Sequence, residues 1–512
     1  MSRVAALEEV AIVLHPEDDV AVARRALPAG TELEEGGRRF VLHAGIPAGH
    51  KLARHELPEG RPVLRYGQPI GTATVRIEAG DHVHVHNLAL DGGAREARLE
   101  EAGADARPVA FHPPDAMRFF QGFRRPAGRA GTRNCVLVVP TVNCSAGVSL
   151  MVRDRFREAT RDFPNVDAVL ALPHPGGCGS RMHGEDHKAL MRVLGGYCRH
   201  PNAAACVLVG LGCEKNLPSI LRADQGLEAV PVFSIQEQGG TRPTVEAVSA
   251  AVRALLPRAN AARRVPVPVS ELVLATNCGG SDSNSGISAN PALGWAVDEL
   301  VRFGATAALA ETTEIYGAEH LLVRRAASRA VAEKLMERVL WWKRWCGLFG
   351  ADLEDNPSPG NIAAGISTLF EKSLGGIAKG GTTPLRDVVL YAEPLTAGGL
   401  VFMDTPAYDP VSVTGLVAGG ATVVGFTTGC GSVYGSALVP TIKLATNTPL
   451  YRRMEGDMDM DCGPILDGTP IAEVGRRIFE RVLAVASGER TRSEALGLGE
   501  AEFLPWNLGP VV

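Results

Sequence analysis

Hydrophobic and polar positions are spaced differently in the first part of the chain and in the rest of it. From Val10 to about Leu90, short runs of alternating apolar and polar residues are separated by Gly and Pro, as in VAIVLH, RPVLRYG and HVHVHNLAL. Alternation with a period of two is typical of half-buried β-strands. We therefore predict a small all-β domain over residues 1–92.

The pattern of apolar and polar residues changes beyond residue 92. Residues 93–126 are rich in Ala, Gly, Arg, Glu and Pro without sustained apolar periodicity, which predicts a linker. Beyond it, an apolar run, a Gly-containing loop and an amphipathic segment recur, as in CVLVVPTVNCSAGVSLMVRDRFREA. Strands alternating with helices predict βαβ units and mainly parallel sheets. Because PRANAARRVPVPVSE interrupts this series, we predict an α/β fold with a central domain over 127–262 and a C-terminal domain over 263–512.

Composition narrows the class of protein. A length of 512 residues points to several domains, and 45% hydrophobic with 21% charged residues is typical of a globular protein. The formal net charge of -5 gives no electrostatic reason to expect nucleic acid or an anionic membrane as a partner.

The uncharged stretch 411–442 is rich in Gly, which suits buried strands and turns better than a membrane helix. The N-terminus lacks the features of a secretion signal. We expect a cytoplasmic protein with a small-molecule partner.

Five predicted strands run into loops that contain a cysteine: Cys144, Cys178, Cys213, Cys278 and Cys430. Ligands of open α/β sheets bind beyond the carboxyl ends of the strands, and neighbouring glycines let the backbone approach them. Buried cysteines often only fill a core, and this is our interpretation of those in apolar or helical contexts, Cys135, Cys198, Cys206 and Cys346. The first four loop cysteines are candidate metal ligands, although their long spacing without a CxxC pair is a weak signal.

Two groups of histidines are further candidates. His82, His84 and His86 alternate on a predicted strand and would share one face, where they can bind a divalent metal or simply form an exposed polar face. His183 and His187 are four residues apart and would share a helix face, which suits metal binding or acid–base catalysis but also an ordinary polar helix start.

Several loops combine hydroxyl, amide and carboxylate groups with Gly. The most polar are GGSDSNSG at 279–286, ETTE at 311–314, NPSPGN at 356–361 and DTPAYD at 404–409. Such groups suit a polyhydroxylated, carboxylated substrate held by many hydrogen bonds, although ordinary turns use the same residues. No P-loop, GxSxG elbow or GxGxxG after a strand is present, which argues against several common classes of enzyme.

Long motifs of this chain resemble the altronate and galactarate dehydratase family. They include RYGQPIGTATVRIEAGDHVHVHNL, TVNCS, GLGCE, NCGGSDSNSGISANPALG, TEIYGAEHLL, EKSLGGIAKGGTTPL and ATNTPLYRRM. The resemblance implies an N-terminal SAF (β-clip) domain followed by two α/β domains. It also implies a hydro-lyase that converts an aldonic or aldaric acid to a 2-keto-3-deoxy acid with Fe(II), or another divalent cation such as Mn or Mg. The HVHVHN segment looks more like the altronate branch of the family. We also expect a homo-oligomer.

Candidate site residues follow from the motifs and this chemistry. A base must reach the C2 proton and a bound cation must stabilise the enolic intermediate, so His183, His187 and Lys372 are our candidate catalytic groups. The candidate substrate-binding residues come from the matched motifs and polar loops: Arg133, Asn134, Ser281, Asp282, Asn290, Glu314, Asn356 and Lys443. The candidate metal ligands are the histidines and cysteines named above: His82, His84, His86, Cys144, Cys178, Cys213 and Cys278.

Two departures from the family pattern leave alternatives open. Cys430 stands where relatives usually have Arg, and Cys462 replaces a usual small residue. Because Arg binds carboxylates in a bidentate way, the substrate can differ. A sulfolactate sulfo-lyase, a non-catalytic sugar-acid-binding protein, and a hydro-lyase with an iron–sulfur cluster on three of the four candidate cysteines are the competing hypotheses.

Overall fold

A computed structural model describes residues 4–90, 97–126 and 128–508. Residues 4–90 form one helical turn, α1 (Leu7–Val10), and ten short strands. The strands are β1 (Ala5–Ala6), β2 (Ala11–Ile12), β3 (Val20–Ala23), β4 (Glu32–Glu35), β5 (Arg38–Val41), β6 (Lys51–Ala53), β7 (Pro62–Arg65), β8 (Gln68–Ala73), β9 (His82–Val83) and β10 (Leu88–Ala89). They pair into three small sheets with the orders β1-β4-β5, β2-β3-β6-β9 and β10-β8-β7. This confirms the strand-rich N-terminal region.

The predicted strand over the three histidines is much shorter than the alternation suggested. β9 contains only His82 and Val83, and the backbone then turns. Asn87 closes this turn, because its Oδ1 accepts from the amide of His84 at 2.9 Å and its Nδ2 donates to the carbonyl of His82 at 3.0 Å. Asn side chains that bond nearby backbone groups favour turns over strands. The strand predicted over His82, His84 and His86 is therefore wrong beyond Val83, although the rings of His84 and His86 lie 5.3 Å and 5.4 Å from that of His82.

The central part of the chain carries a four-stranded parallel sheet. Its strands are β12 (Cys135–Pro140), β13 (Ala168–Ala171), β14 (Ala203–Gly210) and β15 (Val232–Ser234), in the order β13-β12-β14-β15. Its helices are α2 (Asn143–Asp154), α3 (Ala159–Asp162), α4 (Glu185–Cys198), α5 (Pro218–Gln225) and α6 (Thr241–Ala261). Apolar residues of the strands and helices pack on both faces of the sheet. The βαβ prediction is confirmed here.

The C-terminal part carries a seven-stranded parallel sheet of order β19-β20-β18-β17-β21-β22-β23. Its strands are β17 (Val273–Cys278), β18 (Thr306–Leu309), β19 (Leu385–Val389), β20 (Gly399–Met403), β21 (Val423–Thr428), β22 (Thr441–Ala445) and β23 (Met460–Asp461). Its helices are α7 (Ala289–Arg302), α8 (Glu319–Arg324), α9 (Arg329–Leu348), α10 (Pro359–Ala363), α11 (Leu369–Ile377), α12 (Asp409–Ala418), α13 (Thr448–Arg453), α14 (Ile471–Ala486) and α15 (Arg492–Leu496). Short 3₁₀ helices lie at Leu99–Glu101, Pro114–Ala116, Val269–Glu271, Thr312–Glu314, Leu353–Asp355, Ala378–Gly380 and Gly463–Asp467. In the described part of the chain, no helix combines the length and apolar character needed to span a membrane.

The stretch predicted as a linker contains a strand. β11 (Phe119–Phe123) pairs antiparallel with β16 (Arg264–Pro268), at the start of the predicted C-terminal domain. The sequence signal was missed because the run FFQGF is short and contains Gly, and its partner lies far along the chain. The predicted domain limits at 92/93 and 126/127 involve positions outside the described residues.

The N-terminal β-domain contacts the C-terminal domain through a buried ion cluster on α11. Lys51 Nζ lies 2.9 Å from Glu371 Oε1 and donates to the carbonyl of Gly365 at 2.7 Å, and Arg65 also pairs with Glu371. All three charged side chains are buried. Buried charges persist in proteins when they are paired and hydrogen-bonded. This cluster therefore holds the β-domain against the helix whose next residue, Lys372, faces a cavity.

Candidate active site

The carboxyl ends of the seven-stranded sheet meet at a cavity of about 370 Å³. β17 ends in Cys278, the loop after β18 brings Glu314, and the loop after β20 brings Asp409 at the start of α12. The cavity is lined mostly by polar groups and by small loop residues, namely Cys278, Gly279, Gly280, Ser281, Glu314, Asp355, Asn356, Ser358, Asn361, Lys372, Ala407, Tyr408 and Asp409. This is the position at which parallel α/β sheets bind ligands.

Two lysines neutralise the acidic groups at this cavity. Lys372 Nζ lies 2.8 Å from Glu314 Oε1. Behind the cavity wall, Lys379 Nζ lies 2.6 Å from Glu311 Oε2 and 2.7 Å from Cys278 Sγ. Burial alone lowers the pKa of each lysine, but the carboxylates and the thiol outweigh it and raise both pKa values. Both lysines are therefore cations at neutral pH.

Glu311 is held in a strained backbone conformation. Its φ is 70°, in the left-handed region that a non-glycine residue rarely adopts. Thr405 fixes it, because the Glu311 amide donates to Thr405 Oγ1 at 2.9 Å and the next amide, of Thr312, donates to the Thr405 carbonyl at 2.9 Å. Strain of this kind costs about 1–3 kcal/mol and is concentrated at functional sites. The strained residue directs a carboxylate to Lys379.

The protonation of Asp409, which lines the cavity, is strongly perturbed. Burial, followed by the nearby carboxylates of Glu311 and Glu314, raises the pKa of Asp409 to about 8. Its Oδ1 accepts a long hydrogen bond of 3.4 Å from Asn277 Nδ2. A Cβ at Gly279 would lie 2.2 Å from Asp409 Oδ2, so a larger residue at this position would displace the carboxyl group. Asp409 is therefore protonated at neutral pH and can donate a proton to a ligand.

A histidine group lies where the β-domain meets the C-terminal domain. One ring nitrogen each from His50, His82 and His84 lies within 4.8 Å of the others. His50 Nε2 is 3.2 Å from the carbonyl of Ala363, and His84 Nδ1 is 3.0 Å from Ser367 Oγ. The same segment, residues 358–367, supplies Ser358 and Asn361 to the cavity.

The donor set of this histidine group fits a divalent transition metal. Burial, followed by neighbouring positive groups, lowers the pKa of His82 and of His84 to about 4. Burial also lowers the pKa of His50. Neutral imidazole is the form that binds Fe, Zn and Mn ions.

A second group of possible ligands fits a metal less well. Cys278, Glu311 and Glu314 also bring ligand atoms within 4.8 Å of one another. Two ammonium groups already neutralise it, and burial raises the pKa of the Cys278 thiol so that it stays protonated. A cation here would have to displace a lysine. The histidines thus offer the better metal site of the two.

Five of the residues predicted from the sequence line this cavity. They are Cys278, Ser281, Glu314, Asn356 and Lys372. Lys372 Nζ donates to Asn356 Oδ1 at 2.9 Å as well as pairing with Glu314, so its protonated amine is unsuited to the role of base that we predicted.

Two further predicted residues, Asp282 and Asn290, line a small void that shares Cys278, Ser281 and Lys372 with the cavity, and both bond to other protein groups. Asp282 accepts from Ser285 Oγ at 2.9 Å and from Thr446 Oγ1 at 3.0 Å. Asn290 Nδ2 donates to the carbonyl of Gly375 at 2.9 Å.

Three predicted substrate-binding residues bond to other parts of the protein and do not line this cavity. Arg133 pairs with Glu494, and Asn134 Nδ2 donates to the carbonyl of Ala259 at 2.9 Å. Lys443 Nζ donates to Ser493 Oγ at 2.8 Å. All three side chains are buried away from the cavity lining. A polar residue in a motif looks the same in the sequence whether it binds a ligand or satisfies a buried polar group, so their role in substrate binding stays a prediction.

The histidines predicted as catalytic bases belong to the central domain. His187 is buried on α4 near the backbone of Lys215, and His183 is exposed with a φ of 61°. Neither lines the cavity at the C-terminal sheet. His86 has its ring 5.4 Å from that of His82 but is not among the three convergent ligands, whose third member is His50.

The four candidate cysteines do not form one set. Cys278 is buried at the C-terminal sheet, whereas Cys144, Cys178 and Cys213 are exposed on the central domain. Among the described residues, the only two groups with three ligand atoms within 4.8 Å are those given above, and neither includes these three exposed thiols. The shared position at strand ends was predicted correctly, but the strands belong to two different sheets.

Other residues of the site were not among the sequence candidates. They are His50, Glu311, Asn361, Lys379 and Asp409. Glu311, Asn361 and Asp409 lie in polar loops that the sequence singles out, so the loops were found and the residues within them were not. No sequence pattern marks His50 as a candidate, because an isolated histidine acquires its partners only through the tertiary fold.

Comparison with known families agrees with this architecture. Residues 9–91 match the altronate/galactarate dehydratase SAF domain. Residues 122–260 match the D-galactarate dehydratase/altronate hydrolase second domain, and residues 269–511 match the D-galactarate/altronate dehydratase C-terminal domain.

Individual relatives extend over most of the chain. Altronate dehydratase of Bacillus subtilis (strain 168) is 36% identical over 486 residues, which is 94% of this chain and 96% of that protein. Galactarate dehydratase (L-threo-forming) of Escherichia coli (strain K12) is 37% identical over 514 residues, 98% of this chain and 97% of that protein. The (2R)-sulfolactate sulfo-lyase subunit beta of Chromohalobacter salexigens is 36% identical over 389 residues, 74% of this chain and 95% of that subunit. The chain belongs to the galactarate and altronate dehydratase family of hydro-lyases.

Proposed function

We propose that this enzyme removes water from an altronate-type aldonate or a galactarate-type aldarate, giving a 2-keto-3-deoxy acid, with the help of a divalent cation. The observation that carries the proposal is the pairing, in one polar cavity, of a protonated Asp409 with the ionised Glu314. An elimination needs one group that takes a proton and another that gives one. Environments that drive two carboxyl groups to opposite protonation states supply this pair.

Each group at the cavity has a role in this reaction. Lys372, a cation, attracts the substrate carboxylate. Glu314 takes the C2 proton, and its carboxylate form is favoured because Lys372 and Lys379 outweigh the effect of burial and lower its pKa. Asp409 gives its proton to the departing C3 hydroxyl group, which leaves as water. The enol that remains rearranges to the 2-keto acid.

His50, His82 and His84 are the residues that would hold the cation. A divalent cation supplies Lewis-acid stabilisation of negative charge on the substrate carboxylate and enolate. The segment shared by the histidines and the cavity supports this assignment, because Ala363 and Ser367 contact the histidines while Ser358 and Asn361 line the cavity.

An anaerobic panel of substrates tests the function. Purified protein with Fe(II) is incubated with altronate, galactarate, related hexonates and sulfolactate, and the release of 2-keto-3-deoxy acid or of sulfite is measured. Keto-deoxy acid from an aldonate or aldarate is the expected result. Sulfite from sulfolactate as the only product would assign a sulfo-lyase, and no turnover of any compound would favour a binding protein.

The pH dependence of the reaction should follow Asp409. The folded protein raises its pKa from 3.8 to about 8, so the proton that it donates is present below this pH and is lost above it. We therefore expect kcat to fall about tenfold per pH unit above pH about 8. Glu311, Glu314, Lys372 and Lys379 face the same group and set this value. The measurement is a pH–rate profile of kcat for the wild type and for Asp409→Asn.

The Asp409→Asn variant distinguishes this explanation from a general loss of structure at high pH. It should retain little activity and lack the alkaline limb in what remains. An unchanged limb in Asp409→Asn would assign the titration to another group.

Removing two of the three histidines should weaken cation binding. We expect His82→Ala/His84→Ala to weaken the binding of Fe(II) or Mn(II) by at least about tenfold, because a single imidazole remains. Calorimetric titration of the metal-free protein measures the affinity. His112→Ala, which removes a histidine paired with Glu299 away from the group, is the matched control and should bind as the wild type does. Equal affinity of the double variant and the control would place the cation elsewhere.

A further inference from the structure

Three exposed thiols lie at the same edge of the central sheet. Cys144, Cys178 and Cys213 follow the strands β12, β13 and β14, which are neighbours in the order β13-β12-β14. The strands are parallel, so their carboxyl ends meet at one edge. None of the three thiols takes part in the chemistry of the cavity at the C-terminal sheet.

The segments that carry the three thiols, namely two loops and the first turn of α2, are bonded to one another. The loop of Cys178 contacts both others, since the carbonyl of Gly176 accepts from the amide of Asn143 at 3.0 Å and the carbonyl of Gly177 accepts from the amide of Asn216 at 3.0 Å. A Cβ at Gly177, whose φ is 105°, would lie 2.3 Å from the carbonyl oxygen of Thr141. Only glycine permits this close approach. The loop of Cys178 is thereby locked between the other two.

A buried carboxylate fixes the loop of Cys213. Glu214 Oε1 accepts from Thr141 Oγ1 at 2.8 Å, and Glu214 Oε2 accepts from the amide of Gly212 at 2.7 Å. This side chain ties the end of β14 to the end of β12. Exposed cysteines on ordinary surface loops need no such support, whereas ligand-bearing loops are held by hydrogen bonds of this kind.

The spacing of the thiols distinguishes between kinds of metal centre. Tetrahedral metal–sulfur bonds of about 2.3 Å bring thiolates to about 3.8 Å from one another. At least one pair of the three sulfurs is more than 4.8 Å apart, which is wider than the spacing of about 3.8 Å around a single tetrahedral ion. Neighbouring strands are about 4.8 Å apart, which places the outer two of three strands about 9.6 Å apart. A polynuclear centre, which is wider than a single ion, suits this edge.

We propose that Cys144, Cys178 and Cys213 bind an iron–sulfur cluster on the central domain. Each thiol loses its proton to solvent on binding, and each thiolate ligates one iron. A four-iron cluster held by three thiolates keeps one iron without a protein thiolate, free for an oxygen ligand such as the hydroxyl or carboxylate of a small acid. The site is separate from the cavity of the proposed function and does not depend on it.

Anaerobic reconstitution of the full chain with equal amounts of Fe(II) and Fe(III) and with sulfide, which together supply the mixed-valence oxidation level of a four-iron cluster, tests the site. We expect a brown product with a visible charge-transfer band and nearly equal amounts of iron and acid-labile sulfide. Cys144→Ser, Cys178→Ser and Cys213→Ser should each lower the bound sulfide and the visible absorbance at least fivefold. Cys430→Ser removes another exposed thiol, on the C-terminal domain, and should behave as the wild type does.

Several outcomes would overturn the proposal. A colourless protein after reconstitution would do so, as would equal loss in Cys430→Ser and in the three variants. One tightly bound Zn(II) per chain, lost in each of the three variants and without bound sulfide, would assign a single ion instead. The circular dichroism and thermal unfolding of each variant before reconstitution separate loss of the cluster from loss of the fold.

Discussion

Replacing Glu314 by Gln is expected to lower kcat for the dehydration by about 10²- to 10⁴-fold, the usual contribution of a general base. Gln keeps the shape of the side chain and can still contact Asn356, whose Nδ2 lies 3.4 Å from Glu314 Oε1. It cannot accept a proton from C2 and it no longer neutralises Lys372. Steady-state kinetics of Glu314→Gln with the substrate found in the panel measures the loss.

A control variant and two kinetic measurements test whether the loss is due to proton transfer by Glu314. Glu455→Gln removes an exposed carboxylate and should leave kcat unchanged. A change in KM for Glu314→Gln with an unaltered kcat would mean that Glu314 binds the substrate without transferring its proton. A deuterium isotope effect at C2 that disappears in Glu314→Gln would also contradict the role of Glu314 as the base. Removing the base should slow the transfer of the C2 proton and keep this step rate-limiting.

Neutralising Glu371 is expected to have the largest effect on stability. Glu371→Gln leaves Lys51 and Arg65 buried with no opposite charge, and breaking a buried pair in this way costs about 3–5 kcal/mol. Because both cations lie in the β-domain and Glu371 lies on α11, the loss should appear as separation of the β-domain from the rest. Urea denaturation measures the free energy of unfolding, and limited proteolysis between the β-domain and the central sheet measures the separation.

An exposed pair in the same domain provides the control. Glu56 lies 2.9 Å from Arg76, and both side chains are more than half exposed. Glu56→Gln should change the free energy of unfolding by less than about 1 kcal/mol, because surface ion pairs are screened by water and salt. Similar losses in the two variants would contradict the role assigned to the buried cluster. If Glu371→Gln loses activity when its β-domain separates, the histidines of that domain contribute to the reaction at the cavity.

The sequence alone predicts the elements that depend on local pattern. The parallel strands β12, β14 and β17 are read from apolar runs followed by glycine loops, and the loops that carry Glu311, Glu314 and Asp409 are read from their polar composition. Such signals are local because strand burial and turn chemistry act over a few residues. They place polar loops at strand ends without saying which side chains in them meet.

The failures of the sequence prediction have a common cause. Alternation over HVHVH cannot reveal that Asn87 closes a turn, so a strand was predicted over residues 84–86 where the backbone turns. A cysteine at a strand end looks the same in either sheet, so Cys278 was grouped with three thiols of another domain. The same limit applies to Lys372, whose suitability as a base depends on Glu314, which is distant in the sequence.

By itself, the sequence determined the family, the β-domain followed by parallel α/β sheets, and the strand ends that carry the chemistry. Periodicity, glycine loops and long motifs are properties of neighbouring residues, so no fold is needed to read them. Only the tertiary structure decided that His50 joins His82 and His84, that Lys379 pairs with Glu311 and contacts Cys278, and that Asp409 keeps its proton. Metal coordination and pKa values depend on charges and burial at a few ångströms, and contacts between residues far apart in the chain set both.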